Sequence, residues 1–241
     1  MLQKTKGIVL RSLKYGDNGI ITTIYTEAFG RMSFMMQGVH GKKSSVKGNL
    51  LKQLFILGME VDYKPGRELQ RVKEIKNISP FGTIPFVIAK SSIALFLAEL
   101  LDKVLREEES QPELFEFLFR SIQLLDLLED GINNYPLIFL VQLTRYLGFA
   151  PVNNFTVSNQ YFDMIAGNFV PIPPVHPWFL QNPESSFLSQ VIGMTFSNLP
   201  EFIANQELRN KLLGSVLEYY GLHTGNKLNI KSLDVLREVL H

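Results

Sequence analysis

The chain has 241 residues, enough for one large domain or two modest ones, and its composition of 46% hydrophobic and 20% charged residues is that of a folded globular protein. It contains no cysteine, which excludes disulfides, thiolate zinc sites and a cysteine nucleophile. The formal net charge is only +1, but the charge is unevenly placed: residues 1–80 carry fourteen basic and six acidic side chains, while residues 81–241 carry ten and seventeen. A surplus of eight positive charges in so short a segment points to a polyanionic partner for the N-terminal part. The opening residues lack the apolar run of a signal peptide. The longest apolar segment, Phe86 to Leu101, is too short and too charged to span a bilayer, so the cytoplasm is the expected location.

Residues 5–78 alternate in polarity and favour β-branched and aromatic types. Gly7–Arg11 and Ile20–Thr26 read as strands around the turn signal Tyr15-Gly16-Asp17-Asn18-Gly19. Met32–Gln37 reads as a third strand. Residues 38–48, rich in Gly, Lys and Ser, read as a mobile basic loop. Phe55–Tyr63 and Leu69–Ile78 complete the set, joined at Lys64-Pro65-Gly66-Arg67, where Pro and Gly stand as a type II turn requires. Five short strands and one long basic loop predict a small closed barrel of the OB type over residues 1–80.

The pattern changes near Pro80. Residues 85–109, 112–128 and 135–147 follow a helical period. Six prolines between 151 and 183 rule out a long helix there, and Gln160–Val170 reads as a β-hairpin turning at Ala166-Gly167-Asn168. Helices resume at 185–194 and 206–222, and a last one runs from Ser232, read as its N-cap, to Leu240. The expected fold class is α+β in two parts: an OB-fold domain over 1–80 and a mainly helical domain over 81–241, with 149–183 an irregular insertion.

Positive charge displaces counterions from a phosphate backbone, and flat side chains stack on bases. The basic cluster Lys42, Lys43 and Lys47, with Arg11, Lys14, Arg31, Arg67 and Arg71, forms the candidate DNA-binding set. Tyr15, Tyr25, Phe34 and Tyr63 offer aromatic faces, with core filling as their alternative role. Arg120 and Arg145 lie on apolar helices, where a guanidinium beside an apolar pocket suits an acidic, hydrophobic-ended peptide. Pairing with neighbours such as Glu116 or Glu129 is the competing role. No recognition helix, phosphate-binding loop, dinucleotide fingerprint or nucleophile elbow is present, and His40, His176, His223 and His241 are scattered without metal-ligand spacing. No catalytic residue, metal site or cofactor is therefore assigned.

An ordered set of short strings resembles the RecO family of bacterial recombination mediators: Lys6-Gly7-Ile8-Val9-Leu10-Arg11, Tyr15-Gly16-Asp17, Thr26-Glu27-Ala28-Phe29-Gly30-Arg31 and Gly38-Val39-His40-Gly41-Lys42-Lys43-Ser44. Further along, Leu97-Ala98-Glu99-Leu100-Leu101, Glu107-Glu108, Pro112-Glu113-Leu114-Phe115 and Leu147-Gly148-Phe149-Ala150-Pro151 extend the likeness. The resemblance implies an N-terminal OB-fold, binding of single- and double-stranded DNA, and annealing of complementary strands. It also implies partnership with RecR and with the acidic tail of single-stranded DNA-binding protein, in loading RecA. Many members carry a four-cysteine zinc motif after the Gly-Phe-Ala-Pro segment. The absence of cysteine here makes residues 152–183 a metal-free replacement, expected to pack on Phe155, Tyr161, Phe162, Phe169, Trp178 and Phe179. A helical adaptor whose β-domain binds RNA or an acidic protein is the alternative function, and a metal-dependent nuclease with its site in 150–183 is a third.

Overall fold

The computed structural model describes residues 2–17, 19–37, 48–106, 109–199 and 205–240. The chain packs as two compact units, 1–127 and 128–241.

The first unit is built on five strands, β1 (Leu2–Tyr15), β2 (Gly19–Thr26), β3 (Gly30–Gln37), β4 (Ile56–Asp62) and β5 (Leu69–Asn77). They close a barrel in the order β1-β2-β3-β5-β4. All neighbours run antiparallel except β3 and β5, which pair in parallel from Ser33↔Leu69 to Met35↔Arg71. The arrangement is OB-like, as the strand pattern predicts. β1 is much longer than its apolar stretch suggests, because its first half pairs with β4 and its second with β2. The changeover is tight at Gly7, where a Cβ would sit 2.5 Å from Ile24 Cγ2. A bulge between Val9 and Arg11 bends the strand there. Val9, Ile24, Phe34, Leu57, Met59 and Val61 fill the barrel from alternate strand positions, with Leu51 packed against them. Gln70 is buried too, and it shapes the β4–β5 turn: its side chain accepts from Lys64 N and donates to the Lys64 and Arg67 carbonyls.

This unit also contains the helices α1 (Ile88–Val104) and α2 (Pro112–Leu127). The strand-to-helix change falls near Pro80 as the pattern predicts, whereas the packing boundary lies between Leu127 and Leu128. The physical reason is burial: Tyr25 of β2, 1% exposed, stacks on Phe115 of α2 at 6.3 Å. Lys6 of β1 lies 5.6 Å over the Phe119 ring. The connecting segment is pinned by Asp126. Its carboxylate accepts from the Gly82, Thr83 and Ile84 amides at 2.8–2.9 Å, and buried Lys90 donates to its carbonyl and to Thr83 Oγ1. Burial opposes ionisation of Asp126, but these amide bonds and the Thr83 hydroxyl outweigh it and hold the carboxyl below its ordinary pKa.

The second unit centres on α3 (Tyr135–Leu147), buried on nearly every side. Gly148, at φ +84°, ends it in the left-handed conformation that glycine adopts without strain. A small sheet follows: β6 (Tyr161–Asp163) and β7 (Asn168–Val170) form the expected hairpin, and β8 (Phe179–Leu180) joins β6 on its other side. Phe162 and Phe169 are buried, with Phe155 edge-on to Phe169 and Tyr161 edge-on to Phe179. Trp178 is 38% exposed and lies beside His176 instead. The unit closes with α4 (Glu184–Ile192), α5 (Gln206–Thr224) and α6 (Ser232–Val239). Tyr219 and Tyr220 of α5 donate to the Phe149 and Leu140 carbonyls, both at 2.7 Å. Asn205 caps α5 by accepting from Glu207 N. Ser232 is not the cap of α6: it is the first helical residue, and Lys231 before it makes no side-chain cap bond.

Candidate nucleic-acid interface

The outward side chains of four adjacent barrel strands fall into transverse rows. The register aligns Leu13 of β1, Ile21 of β2, Met35 of β3 and Arg71 of β5. Beside it runs the row Arg11–Thr23–Ser33, and on the other side Tyr15 pairs with Gly19. Leu13 is 53% exposed and Tyr15 59%, while Ile21 and Met35 are half-buried and Arg71 is exposed. The result is an apolar row on the barrel's exterior, with a free aromatic ring beside one end and a guanidinium at the other. Apolar and aromatic faces receive bases, and guanidinium groups receive phosphates. An exposed apolar stripe of this kind is a candidate binding surface.

The sequence-derived cations divide by environment. Arg11 and Arg31 converge on Asp102 of α1, with Arg11 Nε 3.4 Å from Oδ2 and Arg31 Nη2 2.9 Å from Oδ1. Asp102 is only 14% exposed, and Arg31 Nε is buried with no hydrogen-bond partner among the described residues. These two arginines hold α1 on the barrel. Lys14 follows Leu13 and so points to the opposite side of β1, where it is exposed. Arg67 is exposed at the Gln70-braced turn. Lys42, Lys43 and Lys47 lie outside the described residues. Among the aromatic candidates, Tyr25 and Phe34 are core, and burial pushes the Tyr25 hydroxyl up to about 12. Tyr63 stacks on Phe29 at 4.4 Å, which leaves Tyr15 as the exposed ring. Leu13, Ile21 and Met35 escape a sequence reading because their alignment requires the register of three strands.

The two arginines that are candidates for partner binding belong to different compact units, Arg120 to the first and Arg145 to the second. Arg120 is ion-paired with Glu116 one turn earlier on α2. Arg145 is exposed, with Nη2 3.5 Å from the Ile192 carbonyl at the end of α4.

In the insertion, Asp163 Oδ1 accepts from the Ile165 and Ala166 amides and faces His176 Nε2 at 3.3 Å. This single carboxylate ties the hairpin turn to the proline-rich loop. Among the described residues, no group of three or more His, Asp or Glu side chains is arranged to hold a metal ion. No helix among them is long and apolar enough to cross a membrane.

Comparison with known proteins agrees with this architecture along the whole chain. Residues 1–81 match the family model for the recombination protein O N terminal, and residues 85–233 match that for the recombination protein O C terminal. Among curated relatives, the DNA repair protein RecO of Bacteroides fragilis is 41% identical over 240 residues, covering 99% of both chains. That of Phocaeicola vulgatus is 40% identical over 239 residues, also 99% of both, and that of Porphyromonas gingivalis 30% identical over 240 residues, 98% of both. The chain belongs to the RecO family.

Proposed function

We propose that this protein works in DNA repair as a recombination mediator that binds unpaired DNA on the outside of its barrel. Bases lie across Leu13, Ile21 and Met35 and stack on Tyr15, while Arg71 and Arg67 meet the phosphates, with the basic segment Lys42, Lys43 and Lys47 adding charge. Duplex DNA, whose bases are hidden, is held by the cations alone. Complementary strands brought onto this surface anneal, and with RecR the protein helps load RecA onto DNA coated by single-stranded DNA-binding protein. Arg145, exposed on apolar α3, is the better of the two candidates for that protein's acidic tail, because Arg120 already has a carboxylate partner. The role is one of binding and assembly, without a catalytic centre.

The observation that carries this reading is the exposed apolar row ending in Arg71 on an OB-like barrel. Its support comes also from the surplus of positive charge in residues 1–80 and from relatives named as DNA repair proteins. The test is titration of the full chain into a fluorescently labelled single-stranded oligonucleotide across a salt series. The expected result is binding whose log affinity falls with log salt at about −0.7 per phosphate contact. Absence of binding at low salt overturns the reading.

A further inference from the structure

The barrel also carries a concave surface, on the exterior of β1, β4 and β5. It is a groove of about 490 Å³, within the usual range of ligand sites. Two transverse rows cross it. One is Lys4–Glu60–Glu74 and the next is Lys6–Gly58–Lys76. Lys6 is occupied by Glu27 at 2.9 Å. Lys4, Glu60, Glu74 and Lys76 form no ion pair among the described residues.

The position of the two glutamates is unfavourable for the barrel by itself. Like charges directly opposite on neighbouring strands destabilise a sheet; Lys4, opposite Glu60 on its other side, offsets only one of the two glutamates, and a local rule left only partly compensated marks a functional position. The floor beside them is apolar. Gly58 has no side chain, so Ile78 and the Lys76 stem fold down over β4; a Cβ at Gly58 would lie 2.8 Å from Ile78 Cγ2 and 3.3 Å from Lys76 Cε.

We infer that this groove docks an extended segment of a protein partner in which a basic residue stands two positions from an apolar one. The basic side chain enters between Glu60 and Glu74, and the apolar one rests on Ile78. The two rows are separated by two residues along the strands, about 7 Å, and side chains two apart on an extended segment share a face and the same spacing. A nucleic-acid strand does not fit, because the centre of the groove is acidic. A divalent cation requires six or more oxygen ligands, whereas two carboxylates with Lys4 alongside supply too few. The inference is independent of the proposed DNA surface, which lies on β1, β2, β3 and β5 around Met35.

The test is selection of a random linear peptide library displayed on phage against the immobilised full chain, then fluorescence anisotropy of the enriched peptides. The expected result is a consensus of Arg or Lys two positions from Leu, Ile or Val, bound at least tenfold more weakly by the E60K/E74K variant. The E60Q/E74Q variant, which keeps the side-chain shape, should weaken binding without lowering the melting temperature. Single-stranded DNA binding by E60K/E74K should not fall, which separates this inference from the proposed function. It is overturned if no peptide is enriched, if the enriched peptides are acidic, or if they bind E60K/E74K as well as the parent. A K4E/K76E variant whose main defect is loss of oligonucleotide affinity would make the groove a nucleic-acid surface and overturn it equally.

Discussion

The Asp102 carboxylate bridges Arg31 and Arg11, at 2.9 Å and 3.4 Å, so a helix that packs on the barrel occupies two of its cations. The row containing Arg11 lies next to the apolar row of Leu13, Ile21 and Met35. Asp102 therefore stands where a phosphate would otherwise be drawn. Replacing it with asparagine frees both guanidinium groups while keeping the side-chain volume. D102N is expected to bind single-stranded oligonucleotide severalfold more tightly at low salt. Its salt dependence should steepen by about 0.7 for each arginine that gains a phosphate. Salt-titrated anisotropy measures both, and an unchanged slope would mean that both arginines stay committed to α1.

Tyr15 and Leu13 are the most exposed members of the apolar surface. Neither belongs to the barrel core, so changing them tests binding apart from folding. Y15A is expected to lose about 1–3 kcal/mol of single-strand affinity, the usual range for a base stacked on an aromatic ring. L13D adds a like charge to the phosphates and should weaken binding further at low salt. Both should melt within a few degrees of the parent. Wild-type affinity in Y15A would remove the ring from the interface.

Much of the barrel is legible in the sequence because its inner residues alternate with outer ones, as Phe34 and Met36 do with Ser33 and Met35. The β4–β5 turn is equally legible, since Pro65 and Gly66 carry its backbone angles: Gly66 has φ +75° and Arg67 N bonds to Lys64 O at 3.3 Å. The ends of β1 are not, because pairing with a different neighbour on each half, rather than composition, holds residues such as Lys4 and Lys14 in a strand. β8 has two residues, too few for any period. Convergence of Arg11 and Arg31 on Asp102 depends on where α1 lies, which no local pattern encodes. The same applies to the apolar row and to the Glu60–Glu74 opposition, each a product of register across strands.

Gln70 is a polar side chain inside the barrel, 1% exposed, with all its bonds directed at the turn 64–67. Truncation leaves the Lys64 amide and two carbonyls without their partner. Q70A is expected to cost about 1–3 kcal/mol, the desolvation penalty of an unsatisfied buried group. It should also loosen Arg67, whose carbonyl it holds. Urea denaturation reads the first effect, and a weaker salt dependence of oligonucleotide binding reads the second.

Asp126 gives the first unit an acid limit. Its folded-state pKa is lowered, so the unfolded chain takes up the proton first as the pH drops. The stabilisation it provides is complete above the unfolded-state value of about 4 and is lost as the pH falls through the lower folded value. D126N keeps one carbonyl acceptor but presents an NH₂ group to backbone donors that now bond to the second oxygen. The variant is expected to be less stable than the parent at neutral pH. The gap should narrow as the pH is lowered through the carboxylate range, because the parent loses its advantage there while the amide has no proton to gain. Urea midpoints measured at a series of pH values check this. A gap that stays constant down to about pH 2, below the ordinary carboxylate range, would mean that Asp126 contributes by shape rather than by charge.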